Sequence, residues 1–279
     1  MTTPLRSPAW LVPRLSDPEV VVLEVSFFDV ERADYRRFHV PGSRFSYWKD
    51  LLWHETQREF ASGEVLADRL GSLGVGDDTT LVVVGDPLQF ATYTYWVLSM
   101  AGLAERAYVL DGGRRTWTEQ GLPTSSDTPL IEPRVLHPRQ ADRSSRIGRD
   151  EVLAGLTSPA RVLLDLRSIE EYSGQRVAPL SAPFDHGAER RGHIPGARHL
   201  PVESLLRGDG TFASSDELRA AFQTVGALEA AEVVTTCRLS HRASLGWFAL
   251  TYLLGRDRVR VYDGSWTEWG SIVGVPIEL

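Results

Sequence analysis

The sequence predicts an α/β protein made of two tandem domains, each a parallel sheet flanked by helices. Three observations support this fold class: short apolar runs alternate with helical stretches, the same order of runs occurs in both halves of the 279-residue chain, and each half has one His-x-Pro-Gly turn. Short β-branched runs bounded by turn residues are typical of strands buried on both faces. Strands that alternate with helices indicate parallel pairing with right-handed crossovers.

The first half of the chain sets the pattern. We predict a buried strand at Val20–Val25, a turn at His39–Gly42, a second strand at Leu81–Gly85, a helix over residues 89–101, a third strand at Ala107–Leu110 and a short helix at Arg114–Gln120. Proline fixes the backbone of such a turn, and glycine gives the chain freedom to change direction after it. Because the turn recurs in both halves, its histidines, His39 and His193, are predicted to be structural.

The second half repeats this order, with strands at Val162–Leu166, Glu232–Thr236 and Val259–Tyr262, a turn at His193–Gly196 and an inserted loop at Ser173–Arg191. Self-similarity of this kind indicates a duplicated structural unit. We align the two copies on their tryptophans, pairing Trp96 with Trp247. This alignment places Asp86 opposite Cys237, so the first copy has no thiol at that position.

The repeat also predicts the domain boundaries. Residues 1–124 form the first domain and residues 147–279 form the second, which holds the only cysteine of the chain. Residues 125–146 are rich in Pro, Ser, Thr and Asp with little periodicity, which is typical of a linker.

Composition excludes several classes of function. With 30 basic and 37 acidic residues, the net charge of −7 disfavours a nucleic-acid partner. No apolar run approaches the length of about 18 residues that a membrane span needs. A single cysteine excludes an intrachain disulfide, and the N-terminus lacks a signal-peptide pattern, so we expect a cytoplasmic protein. The histidines lack metal-ligand spacing, and we predict no metal.

The loop Cys237–Arg242 carries the chemistry that the sequence predicts. It follows a strand and precedes a helix expected to begin near Ala243. Loop N–H groups and the positive end of a helix favour an anion, and therefore thiolate over thiol. Arg238 and Arg242 add permanent charges that suit a small oxyanion. A phosphatase loop of the Cys-x5-Arg type is one residue longer, so this shorter ring fits a single sulfur atom. A buried structural cysteine is the alternative.

This six-residue loop and the tail Val261–Gly270 resemble the rhodanese superfamily, and the tandem-domain thiosulfate sulfurtransferases in particular. The resemblance covers nearly the full chain, including a first, inactive copy with Asp86 at the cysteine position. It implies two tandem rhodanese-like domains, with the second catalytic. It further implies ping-pong transfer of sulfur from a small anionic donor, through a Cys237 persulfide, to a thiophilic acceptor such as cyanide or a thiol. No cofactor follows from the resemblance, and the oligomeric state stays open.

Three alternatives remain open beside this function. The donor could be 3-mercaptopyruvate, the chain could be a non-enzymatic rhodanese-like module that binds a partner or senses oxidants, or the loop could belong to a phosphatase. Arg238 favours thiosulfate, because rhodaneses that prefer this donor commonly have arginine after the nucleophile.

The resemblance also assigns Arg238, Leu239, Ser240, His241, Arg242 and Arg167 to substrate binding. Leu239 stands where the family often has lysine, which removes one positive charge. Ser240 stands where glycine is common. Either it adopts a positive φ, with a steric cost of about 1 kcal/mol, or its hydroxyl donates to the persulfide.

The last three assignments each have a structural alternative. His241 either raises the local positive charge or lies at a solvent-facing rim. Arg242 contacts substrate or is held by a carboxylate such as Asp165. Arg167 matches an Asp-x-Arg element of the family, or forms a surface ion pair with Glu170 or Glu171.

Overall fold

The structure is a computed structural model that describes residues 3–29, 34–179 and 187–279. The chain divides into two compact units, Met1–Arg143 with Gly208–Thr211, and Ser144–Arg207 with Phe212–Leu279. The division between residues 143 and 144 falls inside the predicted linker. The part of the predicted insertion at 180–186 lies outside the described residues.

The described part of the first unit contains a five-stranded parallel sheet and helices: β1 (Leu5–Arg6), α1 (Pro8–Leu11), a 3-10 turn (Val12–Arg14), β2 (Val20–Ser26), β3 (Arg44–Tyr47), α2 (Trp48–Leu52), α3 (Gly63–Ser72), β4 (Thr80–Asp86), α4 (Gln89–Met100), β5 (Ala107–Leu110) and α5 (Gly113–Glu119). The strands follow the order β1-β5-β4-β2-β3. Every pairing between them is parallel.

The second unit repeats this arrangement with β6 (Arg146–Ile147), α6 (Arg149–Ala154), β7 (Arg161–Asp165), α7 (Ile169–Tyr172), β8 (Arg198–His199), a 3-10 turn (Val202–Leu205), α8 (Ser215–Thr224), β9 (Glu232–Thr236), α9 (His241–Phe248), a π-helical turn (Ala249–Leu253), β10 (Val259–Tyr262) and α10 (Ser265–Trp269). Its strand order, β6-β10-β9-β7-β8, is that of the first unit. Two parallel sheets flanked by helices confirm the predicted fold class.

The strand register corrects the alignment of the two copies by one residue. Val20 pairs with Thr80 in the first sheet, and Arg161 pairs with Glu232 in the second. The Asp-Gly pair that follows both β5 and β10 makes Asp111 equivalent to Asp263, and therefore Val109 equivalent to Val261. Val109 pairs with Val83 and Val261 pairs with Thr235, so counting two residues further along the chain places Gly85, not Asp86, at the position of Cys237. Asp86 corresponds to Arg238.

The helices agree with this register. Helix α4 begins at Gln89 and α9 at His241, each four residues after the position that the register makes equivalent. The match of Trp96 with Trp247 was wrong. A large buried side chain can occupy neighbouring positions of two equivalent helices, whereas pairing between parallel strands fixes which residues lie side by side. The first unit still carries no thiol.

Equivalent residues also build the two cores. In the first unit Trp117 packs with Val22, Val82 and Leu110, and in the second Trp269 packs with Leu163, Val234 and Tyr262. Burying such large side chains against a β-branched sheet face is the main stabilising contribution of each unit. These tryptophans anchor α5 and α10, the helices that follow the Asp-Gly ends of β5 and β10.

The two His-x-Pro-Gly turns are held in the same way. His39 Nδ1 lies 2.8 Å from the carbonyl oxygen of Tyr35, and His193 Nδ1 lies 2.9 Å from that of Tyr172. Each imidazole stacks on the ring of its tyrosine, with centroids 4.2 and 3.8 Å apart. The predicted structural role of both histidines is confirmed.

No helix within the described residues is long and apolar enough to cross a membrane.

Candidate active site

The thiol of Cys237 lies between a strand and the start of a helix. Strand β9 ends at Thr236, and α9 begins at His241, two residues earlier than the sequence predicted. The first N–H groups of a helix have no intrahelical acceptor, and they carry the positive end of its dipole. Cys237 is a free thiol that is almost completely buried, with 2% of its surface exposed. A sulfur anion here is shielded from solvent and lies four residues before the positive end of α9.

The backbone of Cys237 is fixed by the connection between β10 and α10. Its N–H donates to Ser265 Oγ at 3.2 Å, and its carbonyl accepts the N–H of Trp266 at 3.0 Å. The next carbonyl, that of Arg238, accepts both the N–H and the hydroxyl of Thr267, at 3.1 and 2.8 Å. The segment from Ser265 to Thr267, part of the tail noted in the sequence, therefore holds the cysteine loop in place.

Ser240 adopts the left-handed conformation, with φ of +65°. The expectation of a positive φ at this position is confirmed, and the strain amounts to about 1–2 kcal/mol for a residue with a Cβ. Its hydroxyl donates to Asp263 Oδ1 at 2.8 Å and lies 2.5 Å from the carbonyl oxygen of Leu239. The alternative in which this hydroxyl donates to the persulfide is wrong, because its acceptors are the carbonyl oxygen of Leu239 and the carboxylate of Asp263.

Arg242 closes the loop, and Glu171 holds its guanidinium. Nη1 donates to Glu171 Oε2 at 2.7 Å, and Nη2 donates to Oε1 at 2.8 Å. Bidentate pairs of this kind are strong and geometrically specific. The sequence offered substrate or Asp165 as partners of Arg242, and the structure provides a different carboxylate because α7 brings Glu171 to the loop.

Burial of Glu171 is compensated by its partners. Its Oε2 also accepts the N–H of Ser168, whose hydroxyl caps α7 in return. Burial acts to raise the pKa of Glu171, but the hydrogen bonds and charge of Arg242 lower it below the usual value overall. Burial likewise acts to lower the pKa of Arg242, and the hydrogen bonds and charge of Glu171, with a smaller contribution from Cys237, raise it overall. Both groups remain charged.

Arg238 and His241 lie in the loop and are buried, with 7% and 8% of their surface exposed, while Leu239 is half-buried. Burial and then the charge of Arg242 lower the pKa of Arg238, so the two guanidinium groups act on each other. The rim alternative for His241 is wrong, because the first turn of α9 turns this residue inward.

Two segments of the chain match a family model. The model of the rhodanese-like domain matches residues 7–120 and 148–272. The chain belongs to the rhodanese-like family. Each match covers four of the five strands of one sheet, with its helices, as the tandem architecture predicts.

Full-length relatives carry related names. The chain is 38% identical to the "Sulfur carrier protein TtuD" of Thermus thermophilus over 277 residues, which cover 98% of this chain and 95% of the relative. It is also 38% identical to the "Putative thiosulfate sulfurtransferase 1" of Mycobacterium bovis, with 99% and 97% covered. The relatives of this rhodanese-like chain therefore include proteins named as a sulfur carrier and as a putative thiosulfate sulfurtransferase.

A solved structure shares the fold. The anaerobic ergothioneine biosynthesis enzyme from Chlorobium limicola, in complex with trimethyl histidine, superposes with a TM-score of 0.77 at 24% sequence identity. The match covers 93% of this chain but only 64% of that enzyme. At this identity the similarity concerns the fold alone.

Arg167 is held by internal contacts in this rhodanese-like domain. Its Nε is 3.0 Å from both carboxylate oxygens of Asp165, and one Nη donates to Asp165 at 2.6 Å and to the carbonyl of Gly192 at 2.8 Å. The guanidinium also lies over the ring of Trp266, 4.6 Å from its centroid. With none of its surface exposed, Arg167 is not in the predicted surface ion pair and makes internal contacts instead.

The first rhodanese-like unit has different contacts at the equivalent loop. Arg114 Nη1 lies 3.6 Å from Asp86 Oδ2 and 3.7 Å from Glu24 Oε2. Burial raises the pKa of Asp86 despite the opposing charge of Arg114. A carboxylate thus occupies the register position of Arg238, which disfavours an anionic ligand there.

Within the described residues, no group of three or more His, Cys, Asp or Glu side chains is placed to hold a metal ion.

Sequence reasoning missed the residues that support the loop: Glu171, Asp263 and Ser265. One of them, Glu171, carried a readable signal. Ser168 and Glu171 form an S-x-x-E capping box directly after a predicted strand. Asp263 and Ser265 belong to the tail Val261–Gly270, but their contacts with the cysteine loop depend on packing between segments far apart in the sequence.

Proposed function

We propose that this chain is a thiosulfate sulfurtransferase that carries sulfur on Cys237. The observation on which the proposal rests is the buried thiol of Cys237, which lies four residues before α9 and is followed in the chain by buried Arg238. Backbone donors and permanent positive charge stabilise thiolate, persulfide and a dianionic donor alike. Relatives at 38% identity that bear sulfurtransferase and sulfur carrier names support the same chemistry.

The proposed reaction has two steps. The Cys237 thiolate attacks the outer sulfur of thiosulfate, the sulfur–sulfur bond of the donor breaks, and its electron pair leaves on sulfite. Cys237 retains a persulfide anion. Cyanide or a thiolate then attacks the outer persulfide sulfur and returns the Cys237 thiolate, so no external oxidant or reductant is needed.

Each loop residue has a proposed role. Cys237 is the nucleophile, and Arg238 is the group that recognises the donor anion. Leu239 and His241 shape the wall of the loop, whereas Ser240 and Arg242 support it, because Asp263 and Glu171 hold their polar atoms. Arg167 is not assigned to substrate binding here, since its guanidinium contacts Asp165, the carbonyl of Gly192 and the ring of Trp266.

Thiosulfate is proposed over 3-mercaptopyruvate on grounds of charge. Thiosulfate is a compact dianion, so it gains from a guanidinium directly beside the nucleophile. Mercaptopyruvate needs a carboxylate clamp farther from the sulfur, and both other guanidinium groups of the predicted set are held by carboxylates.

Kinetics with both donors test this proposal. We expect kcat/KM for thiosulfate to exceed that for mercaptopyruvate, and Arg238→Gly to lower the thiosulfate value selectively by about tenfold to a hundredfold, the size of one charge-assisted contact. Arg115→Gly is the matched control, because Arg115 is an exposed arginine paired with Glu119. Preference of the wild type for mercaptopyruvate would favour the second donor. Absence of transfer from either donor would favour the binding module.

A further inference from the structure

The left-handed conformation of Ser240 is the strained point of the Cys237 loop. Its φ is +65°, and none of its surface is exposed. Glycine adopts this conformation without a steric penalty, whereas serine needs a compensating contact. The carbonyl of Ser240 accepts the N–H of Ser244 at 2.8 Å, which is the first hydrogen bond of α9. The direction in which α9 begins therefore follows from the conformation of Ser240.

Asp263 supplies the compensating contact. Its Oδ1 accepts the hydroxyl of Ser240 at 2.8 Å, and its Oδ2 accepts Arg146 Nη2 at 2.9 Å. The side chain of Asp263 is 5% exposed and that of Arg146 is 21% exposed. Hydrogen bonds to an ionised carboxylate are stronger than those between neutral groups, and more so when shielded from water.

The anchor of this contact is rigid. Asp263 comes directly after β10, and Arg146 belongs to β6, which pairs with β10 through Val261 and Tyr262. Two strands of the sheet therefore fix the carboxylate to which the loop is tied.

We propose that Asp263 is a positioning residue for sulfur transfer, which acts through the Ser240 hydroxyl to hold the left-handed turn between Cys237 and α9. The role rests on the proposed function, but Asp263 itself does not touch the reacting sulfur. A glycine would adopt the left-handed conformation unaided, whereas in this chain Ser240 adopts it with the support of Asp263.

The test measures the single-turnover release of sulfite from thiosulfate. Ser240→Ala keeps the strain and removes the hydroxyl, so we expect the rate to fall by about tenfold, the effect of one lost charge-assisted hydrogen bond. Ser240→Gly removes strain and hydroxyl together, and its rate should stay within about threefold of wild type.

The decisive comparison is the effect of Asp263→Asn in two backgrounds. We expect a fall of about tenfold in the wild-type chain and almost none in the Ser240→Gly chain, since glycine needs no support. If Asp263 were needed only for stability, Asp263→Asn would lower the rate in both backgrounds. Asp111→Asn is the matched control, because Asp111 follows β5 as Asp263 follows β10, and we expect it to leave the rate unchanged.

Three results would overturn the proposal in distinguishable ways. A Ser240→Ala rate equal to wild type, or an equal loss from Asp263→Asn in both backgrounds, would remove the positioning role and leave the proposed function standing. Failure of the wild type itself to release sulfite would remove the proposed function and this role with it. If Asp263→Asn does not fold, the contrast between Ser240→Ala and Ser240→Gly decides, because neither removes a charge.

Discussion

The two loops that join a strand to a helix at equivalent positions in each unit have the same length and opposite character. The second unit has Cys237 followed by Arg238, and the first has Gly85 followed by Asp86. Both loops lead into a helix four residues later, so both have a helix N-terminus available. The fold alone therefore does not make a sulfur site, because the two units differ in the thiol and in the sign of the neighbouring charge.

The backbones of the two loops also differ. Ser240 has φ of +65°, whereas Leu88, its equivalent by register, has φ of −48°. A Cβ placed on Gly85 would lie 2.7 Å from the nitrogen of Ala91 and 2.8 Å from the carbonyl oxygens of Pro87 and Leu88. Real Cβ atoms do not approach backbone this closely. The first loop thus folds over the position where the second carries its thiol, and it leaves no room for a side chain.

The ion pair between Glu171 and Arg242 is specific to the second unit, because buried Phe90 occupies the position of Arg242 in the first. We expect Glu171→Gln to lower sulfur transfer by about tenfold to a hundredfold and the free energy of unfolding by about 3 kcal/mol, since it leaves Arg242 without its buried counter-charge. Steady-state kinetics and urea unfolding measure the two effects.

An exposed ion pair provides the control for this substitution. Glu119→Gln, which removes the partner of exposed Arg115, should change the free energy of unfolding by less than about 1 kcal/mol. Equal effects of the two substitutions would show that Glu171 does not hold the loop.

The lowered pKa of Glu171 gives the ion pair a pH dependence. A carboxyl whose pKa is lower in the folded than in the unfolded state contributes stability above its unfolded value, near 4.5, and loses it as the pH falls through the folded value. The difference in unfolding free energy between wild type and Glu171→Gln should therefore be largest above pH 4.5 and shrink on acidification. A difference that grows on acidification would contradict the sign of the shift.

The close packing around Gly85 predicts an effect on stability without an effect on catalysis. Gly85→Ala should lower the free energy of unfolding by about 1–3 kcal/mol, the usual cost of overpacking, and leave sulfur transfer within about twofold of wild type. Gly208→Ala is the control, because nothing lies within 4 Å of an added Cβ there. Equal stability of the two variants in thermal unfolding would mean that the first loop has room for a side chain.

The smallest effect is expected at Asp86. Asp86→Ala should change turnover by less than about twofold, because the first unit lacks the thiol and a carboxylate stands at the position of Arg238. A large loss of turnover by a folded variant would give the first unit a part in the reaction.

The sequence was sufficient for the three central strands of each sheet, for the repeat and for the location of Cys237, because these features are local patterns of apolar residues and turns. The edge strands were missed because they are only two to four residues long. The correspondence between the copies could not be obtained from tryptophan identities, since strand pairing counted from the Asp-Gly ends of β5 and β10 decides it. A positive φ at Ser240 could be expected from the glycine common at that place.

The partners of the charged side chains were the least predictable part of the site. Arg242 and Glu171 are 71 positions apart, and Ser240 and Asp263 are 23 apart. Only the packing of α7 and β10 around the loop brings them together. Arg167 was also mispredicted, although its partner Asp165 is only two residues away. Both residues are buried, whereas the sequence suggested a surface ion pair of Arg167 with Glu170 or Glu171.

The central claim is that Cys237 alone carries the transferred sulfur, and the intact mass of the chain after incubation with thiosulfate tests it most directly. The wild type should gain about 32 Da, one sulfur atom, and lose it on addition of cyanide. Cys237→Ser changes little volume but removes the nucleophile, so it should gain no mass and lose sulfur transfer while unfolding at the wild-type temperature. A wild type that gains no mass, or a Cys237→Ser chain that transfers sulfur within tenfold of wild type, would contradict the account.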